Sequence, residues 1–175
     1  AKFKALRALA EVAQEPRKQG RAIADGSHLV STALARGATV QQLIISEGAQ
    51  RHHEVLALQM QYPGLECMVF RDSLFRELSP LSAAVGLSAV VEIPPQLPLD
   101  MTSGAIILDA VQDAGNVGTI MRTAAAAGID TVVLGTGCAG AWTPRVLRAG
   151  QGAHFSLKIH EQVDIALCLT ETTAT

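Results

Sequence analysis

The chain has 175 residues, of which 49 % are hydrophobic and 17 % charged, and its formal net charge is −2 at pH 7. This composition excludes an intrinsically disordered chain, because it supplies enough apolar surface for one sizeable domain or two small ones. It also excludes a uniformly basic surface, so any contact with nucleic acid would depend on a local cluster of cations.

Several further classes of protein are disfavoured by patterns that the sequence lacks. No apolar run approaches the ~20 residues of a membrane span and no secretory or transit leader is visible, so we expect a soluble, cytoplasmic protein. The three cysteines form no Cys-x-x-Cys pair and the five histidines form no i, i+4 pair, which argues against a metal site. Without a Gly-x-Ser-x-Gly element or a P-loop, hydrolase and nucleotide triphosphatase chemistry have no support.

Residues 1–93 alternate between helical and strand periodicity, which is typical of a compact α/β fold. The predicted helices cover 2–14, 27–35, 50–61 and 73–78, and the predicted strands cover 23–25, 40–46, 67–70 and 88–93. The first 21 residues also hold a cluster of cations, namely Lys2, Lys4, Arg7, Arg17, Lys18 and Arg21. Such a cluster is either a patch for an anionic partner or a solvated helix face.

Three prolines interrupt this pattern within the segment 94–98. Proline does not fit a helix interior or a central strand, and clustered prolines favour an extended spacer. We therefore predict a linker at 94–98 that joins a domain of residues 1–93 to a second domain of residues 99–175. In the second domain the predicted strands cover 104–108, 131–134 and 154–159, and the predicted helices cover 117–127, 144–149 and 163–169. Apolar strands separated by helices favour a parallel sheet that is buried on both faces.

The most informative stretch is Asp109–Thr123, where an apolar strand leads through a polar, glycine-bearing turn into an alanine-rich helix. Ligands of open α/β sheets bind at such a junction, because the helix dipole and the first-turn N–H groups favour a polar or anionic guest. Asn116, at the start of this helix, is either an N-cap or an amide that contacts a ligand. Arg122, six residues later, is either solvated or directed toward the strand-end cleft.

Two other features of the second domain also have two explanations. Gly135–Gly140 has the form Gly-x-Gly-x-x-Gly after a strand, and Glu161 follows 21 residues later, as in a dinucleotide fingerprint. However, Thr143–Pro144 has the form of a cap and first residue of a separate short helix, which disfavours that fingerprint. Arg145 and Arg148 on this short helix are either solvated or placed for phosphate contact.

Four stretches resemble signature segments of the SpoU (TrmH-like) RNA 2′-O-ribose methyltransferases of the SPOUT class. Asn116–Thr123 resembles the family's first motif, and Arg17–Val30 resembles the start of its RNA-binding N-terminal domain. Thr131–Gly137 resembles its second core strand and the loop after it, and Trp142–Phe155 resembles its arginine- and glycine-containing helix end. The family's later Gly-x-Glu loop, Ile-Pro segment and Ser-Leu-Asn helix start do not occur before Thr175.

The resemblance implies a small α/β RNA-binding domain over residues 1–93. It also implies that residues 99–175 form a parallel-sheet, SPOUT-type (trefoil-knot) methyltransferase domain that is incomplete at the C-terminus. Relatives work as dimers and use S-adenosylmethionine, so we expect a homodimer and this methyl donor. Because the missing motifs wrap the donor in relatives, the cofactor-binding residues are expected beyond Thr175.

The reaction implied by the resemblance transfers a methyl group to a ribose 2′-hydroxyl of ribosomal or transfer RNA and requires no metal. Catalytic roles are expected for Arg122 and Asn116, and Gly118 is expected to let the backbone approach the nucleotide. The full set of expected RNA-binding residues is Arg148, Gly118, Thr123, Arg17, Lys18 and Arg21. The alternatives are a non-catalytic RNA-binding protein and, less favoured, a dinucleotide-binding α/β protein.

Overall fold

The structure, a computed structural model, describes residues 2–79 and 85–173, with side chains described as far as residue 170. Its helices are α1 (Lys2–Glu11), α2 (Glu15–Gln19), α3 (Ser27–Ala35), α4 (His53–Gln61), α5 (Asp72–Leu78), α6 (Ala114–Ala126), α7 (Pro144–Gly150) and α8 (Ile165–Thr173). Its strands are β1 (Arg21–Asp25), β2 (Val40–Ser46), β3 (Glu66–Phe70), β4 (Leu87–Glu92), β5 (Ile106–Leu108), β6 (Thr131–Gly135) and β7 (Lys158–Val163).

The first four strands form a mixed sheet in the order β1-β4-β2-β3, in which only β2 and β3 run parallel. The two-residue period of a strand places alternate side chains on opposite faces of this sheet. In β2, Ile44 packs with Phe75 and Leu78 of α5 on one face. Leu43 and Ile45 join a larger core on the other face. Helices therefore cover both faces of the sheet, as the α/β pattern of the sequence predicts.

Strands β5, β6 and β7 form a second sheet in that order, and they are all parallel. The middle strand, β6, is buried over its whole length, which explains its uninterrupted apolar sequence. Helix α6 connects β5 to β6, and α7 connects β6 to β7. The N-termini of both helices therefore follow loops at the carboxyl edge of the sheet. The predicted parallel sheet is confirmed.

One cluster of buried apolar side chains connects the two sheets, and it extends from Ala22 of β1 to Leu147 of α7. A polar contact crosses the same boundary, where the Arg36 guanidinium donates a hydrogen bond of 2.7 Å to the hydroxyl of Ser156. The segment 94–98 forms neither helix nor strand. The division of the chain into two domains at this segment stays a prediction.

Two predicted elements differ clearly from the structure. The strand predicted at 154–159 is wrong in its first half, because Ala153–Ser156 forms a 3-10 turn that buries His154, and β7 begins after it. The helix predicted at 2–14 ends at Glu11, and the short helix α2 follows after a turn. This break matters for the site, because it separates the cations of α1 from those of α2.

Candidate functional site

Helix α6 begins three residues earlier than the sequence predicts, at Ala114. Asp113 is its N-cap, and the Asp113 carboxylate accepts a hydrogen bond of 2.7 Å from the backbone N–H of Asn116. Asn116 is therefore the third residue of the helix. Because Asp113 satisfies the first turn, the exposed amide of Asn116 has no capping role.

Asn116 and Arg122 both lie on the exposed face of α6, but not beside each other. Six residues of α-helix separate two positions by ~9 Å along the axis and by ~120° around it. Around the helix axis, the sector between these two positions carries Gly115, Thr119 and Ala126, none of which has a long side chain. The structure thus does not bring the two predicted catalytic side chains into one pocket. Instead, Arg122 projects from one edge of a surface of small residues.

Arg122 is exposed on α6. Among the residues that the structure describes, Arg122 forms no ion pair. The adjacent Thr123 is also exposed, and its hydroxyl donates a hydrogen bond of 2.9 Å to the carbonyl of Thr119 one turn earlier. That hydroxyl keeps its acceptor capacity for another partner. The guanidinium of Arg122 is therefore open to an anion from another molecule.

Gly118 faces the interior of the protein, where α6 packs against α7. A β-carbon at this position would lie 2.5 Å from the β-carbon of Ala149 and 2.6 Å from the carbonyl oxygen of Val146. Close packing of the two helices therefore requires a glycine here. The expectation that Gly118 lets the backbone approach a nucleotide is corrected, because the residue is buried beneath α7 and does not face the solvent.

The glycine-bearing loop after β6 does not form a dinucleotide fingerprint, because α7 begins at Pro144 instead of within the glycines. Thr143 occupies the N-cap position, but its hydroxyl donates to the carbonyl of Gly140 at 2.9 Å and does not cap the helix. The Glu161 carboxylate accepts a hydrogen bond of 2.7 Å from the N–H of Ala141. Burial raises the pKa of this carboxyl group. Glu161 thus holds the loop in place.

The six cations of the N-terminal segment do not form one positive surface. On α1, the Lys2 ammonium lies 3.9 Å from the Glu66 carboxylate. The Arg7 guanidinium forms ion pairs with Glu11 at 3.5 Å and with Glu77 at 3.4 Å. These acids offset the charges of Lys2 and Arg7, so α1 offers little net positive charge to a partner.

The cations of α2 lie at the carboxyl edge of the second sheet instead. Arg17 and Lys18 line a cleft of about 420 Å³ together with Gly137 of the loop after β6. Arg21 lies just beyond α2, and its guanidinium donates to the Gln19 side-chain oxygen at 2.7 and 3.0 Å. Of the predicted N-terminal cluster, Arg17 and Lys18 are therefore the cations that line this cleft.

Arg148 is exposed on α7 and lines a different cleft, of about 210 Å³, between α7 and the start of α3. His28 and Asp25 form part of its other wall. Asp25 is buried, and its carboxylate accepts hydrogen bonds from the hydroxyls of Ser79 at 2.7 and 2.8 Å and of Ser88 at 2.6 Å. The structure thus does not bring Arg148 together with the cations of α2.

His154 is buried, and its structural role was not predicted from the sequence. Its Nε2 bonds the carbonyl oxygen of Ala141 at 2.9 Å, and its ring packs edge-on against Trp142 with centroids 5.4 Å apart. The ring is accommodated because Gly150 has no β-carbon, which would lie 2.5 Å from the imidazole. Burial lowers the pKa of His154 to about 4. Its local sequence gives no signal of this role, which depends on tertiary packing.

The described residues contain neither a membrane-spanning helix nor a cluster of metal ligands. Within residues 2–79 and 85–173, no helix combines the length and the apolar character that crossing a membrane requires. Over the same ranges, no three His, Cys, Asp or Glu side chains are grouped so that they could hold a metal ion. Cys67 and Cys138 carry free thiols.

Residues 103–175 match the model of the SpoU rRNA Methylase family. The protein "rRNA methyltransferase 3A, mitochondrial" of Danio rerio is 36 % identical in an alignment 155 residues long that covers 84 % of this chain and 35 % of the relative. The 23S rRNA (guanosine(2553)-2′-O)-methyltransferase RlmP of Bacillus subtilis is 31 % identical over 146 residues, which are 83 % of this chain and 56 % of the relative. The chain thus spans between about a third and about half of the length of these relatives.

The fold is shared with a solved member of the same family. The SpoU methyltransferase AviRb from Streptomyces viridochromogenes, in complex with AdoMet, superposes with a TM-score of 0.85 over 99 % of this chain and 67 % of that chain. At 22 % identity this likeness confirms the α/β fold with its parallel sheet. The resemblance carried by Asn116–Thr123 is confirmed separately by the family match over residues 103–175 and by the sequence relatives. The chain belongs to the SpoU rRNA methylase family.

Proposed function

We propose that this chain acts in the 2′-O-methylation of ribosomal or transfer RNA and contributes the catalytic arginine, Arg122. The observation that carries this proposal is the exposed guanidinium of Arg122, which has no ion-pair partner among the described residues and lies in the segment that matches the SpoU family. The names of the relatives support the proposal, since both are rRNA methyltransferases and RlmP is named as a guanosine 2′-O-methyltransferase.

A ribose 2′-hydroxyl is a weak nucleophile that must lose its proton as it is methylated. A guanidinium is nearly always protonated, so it is suited to stabilise charge instead of removing a proton. We propose that Arg122 stabilises the developing alkoxide or clamps the adjacent phosphate, since a preorganised cation at the reacting oxygen lowers the barrier. Asn116 lies ~9 Å from Arg122 along the helix axis. We therefore propose that Asn116 orients the RNA and does not hold Arg122 in place.

The methyl donor proposed for this reaction is S-adenosylmethionine, which carries a positively charged sulfonium. The cleft at the carboxyl edge of the second sheet presents two cations, Arg17 and Lys18, and the carboxylate that lines it, Glu161, is engaged by the Ala141 N–H. The two cations would repel a sulfonium, so this cleft does not fit the donor. We therefore keep the proposal that the donor-binding residues lie beyond Thr175, and we assign no donor contact to this chain.

The mismatch with the donor also favours the alternative of a non-catalytic RNA-binding protein. Isothermal titration of the 175-residue chain with S-adenosylmethionine is expected to show weak binding or none, because the cleft is cationic. If the gene encodes a longer protein and that protein is the methyltransferase, the longer protein should bind the donor. Tight binding by the 175-residue chain would mean that the donor pocket has been misplaced.

We also propose that the chain forms a homodimer through the exposed face of α6. This face carries the small residues Gly115, Thr119, Thr123 and Ala126, which allow the backbone of a second copy to approach closely. Arg122 lies at its edge and would then face the partner. The cytoplasm is the proposed compartment, and the free thiols of Cys67 and Cys138 support a reducing environment.

The RNA is proposed to dock on Arg17, Lys18 and Arg21. The triple substitution to Gln is expected to weaken RNA binding for all sequences alike, because phosphate contacts do not discriminate between bases. Each lost contact should also reduce the slope of log K against log salt by ~0.7 for a single strand. Fluorescence anisotropy over a range of salt concentrations measures both quantities.

A matched control removes the same charge elsewhere. Arg51, Arg71 and Arg76 are exposed and lie in the turn before α4, at the N-cap of α5 and within α5, respectively. Their joint substitution to Gln should leave the affinity and the salt slope nearly unchanged. Equal effects of the two triple variants would show that net charge matters and that α2 does not dock the RNA.

A further inference from the structure

A groove runs along the α1–α2 segment, and its other wall is the carboxyl edge of the second sheet, followed by strand β7 and the segment 93–97. It consists of three adjoining clefts of about 580, 420 and 310 Å³. The first and second clefts share Ala13 and Gly140 as lining residues, and the second and third share Arg17 and Glu161. The clefts therefore form one continuous path, which we name the α1–α2 groove.

The largest of the three clefts in the α1–α2 groove is a mainly apolar hollow at the end of α1. Val12 is 47 % exposed there although it is apolar. The rim carries hydrogen-bonding groups, the Gln112 amide and the Arg145 guanidinium. The acid at this rim, Glu11, is paired with Arg7 at 3.5 Å. The apolar wall consists of Leu9, Val12, Ala139 and Pro144.

The middle part of the groove is cationic. Arg17 and Lys18 are exposed on one side, and Gly137 and Gly140 line it without side chains that could obstruct a bulky guest. Glu161 is the acid that lines this part, and it is mostly buried with its carboxylate bonded to a backbone N–H. An anion in this cleft would thus meet two solvent-facing cations and one recessed carboxylate.

An apolar hollow next to a pair of cations matches the alternation of base and phosphate along a nucleic acid strand. Proteins that bind single strands combine a cationic groove with aromatic side chains on which the bases stack. In this hollow, aliphatic side chains and Pro144 provide the apolar surface instead. A base in a duplex is stacked on both faces, so only an unpaired base can enter such a hollow.

We propose that the α1–α2 groove binds single-stranded RNA, with a phosphate at Arg17 and Lys18 and an unpaired base in the hollow at Val12. This inference rests on the proposed function, which requires RNA to bind but specifies neither the hollow nor the single-stranded form.

The test compares two labelled probes of ten nucleotides, an oligouridylate and an oligonucleotide of the same length whose central residues are abasic. Val12→Asn removes the apolar contact without a change in charge. Val69→Asn is its matched control, because Val69 is 46 % exposed and lies on β3, outside the groove. A double variant, Arg17→Gln with Lys18→Gln, removes the phosphate contacts.

The expected result is that Val12→Asn weakens binding of the oligouridylate at least threefold and leaves binding of the abasic probe unchanged. Val69→Asn should change neither affinity, and the double variant should weaken both probes about tenfold. The inference is overturned if Val12→Asn and Val69→Asn behave alike while the wild-type chain binds the probes.

Two other results would show that the hollow binds a second copy of the chain, or that the proposed function itself is wrong. If Val12→Asn changes the sedimentation coefficient of the protein and not its RNA affinity, the hollow is an interface between copies of the chain, and the inference is wrong. If the wild-type chain binds neither these probes nor structured ribosomal RNA, the proposed function and the inference about the groove are both wrong.

Discussion

Replacement of Arg122 by alanine is expected to lower kcat for RNA 2′-O-methylation ~10²-fold with little change in RNA affinity. The reason is that an electrostatic contact made to charge that develops in the transition state contributes little to binding of the ground state. Arg122→Lys should not restore kcat if a bidentate guanidinium contact is needed. Single-turnover kinetics with the form of the protein that binds S-adenosylmethionine, together with RNA anisotropy, measure the two effects separately.

Arg122 is exposed and forms no ion pair among the residues described, so its replacement breaks no ion pair within this part of the protein. Its loss should therefore leave the fold intact. Arg51→Ala is a suitable control, since Arg51 is also exposed and lies in the turn before α4. If Arg122→Ala weakens RNA binding as much as it slows the reaction, Arg122 is a docking residue and the catalytic proposal is wrong.

The second large effect concerns the pH dependence of stability. Burial lowers the pKa of His154 from 6.5 to about 4 in the folded protein. Above pH 6.5 the imidazole is neutral in both states, so the fold has its full stability. As the pH falls below 6.5, His154 becomes protonated in the unfolded chain but stays neutral in the folded chain. The free energy of unfolding should therefore fall by about 3 kcal/mol between pH 6.5 and pH 4.

Other groups titrate near this window, so a variant is needed to isolate His154. Burial lowers the pKa of His160 as well, which acts in the same direction, whereas the raised pKa of Glu161 acts in the opposite one. His154→Gln keeps an N–H for the Ala141 carbonyl but does not titrate. Urea unfolding at several pH values should show a much weaker pH dependence for His154→Gln than for the wild type or for the exposed control His53→Gln. Identical pH profiles would contradict the assignment.

Apart from the start of β7, the strands were predictable because their signal is local. In β2, the apolar residues from Val40 to Ser46 fix both its limits and the alternation of Ile44 and its neighbours between the two faces. The start of α6 was less predictable. Asp113 and Asn116 are both good N-cap residues, and only the path of the preceding loop decides which one caps the helix.

The candidate site depends more strongly on tertiary contacts than the fold does. Arg7 appears in the sequence as part of a basic cluster, but its partner Glu77 lies 70 residues away and removes it from that cluster. Gly118 lies in the family motif, yet its small size serves the packing of α6 against α7. Neither the ion pair nor the helix contact leaves a pattern in the local sequence, so both needed the structure.

The central claim is that this chain serves 2′-O-methylation of RNA through Arg122. The most direct test is a map of 2′-O-methylated nucleotides in the ribosomal and transfer RNA of the source organism, with and without the gene. The account predicts that deletion removes 2′-O-methylation at a defined position, and that the wild-type gene restores it while an Arg122→Ala gene does not. An unchanged ribose methylation map, or the loss of a methyl group from a base instead of a ribose, would contradict it.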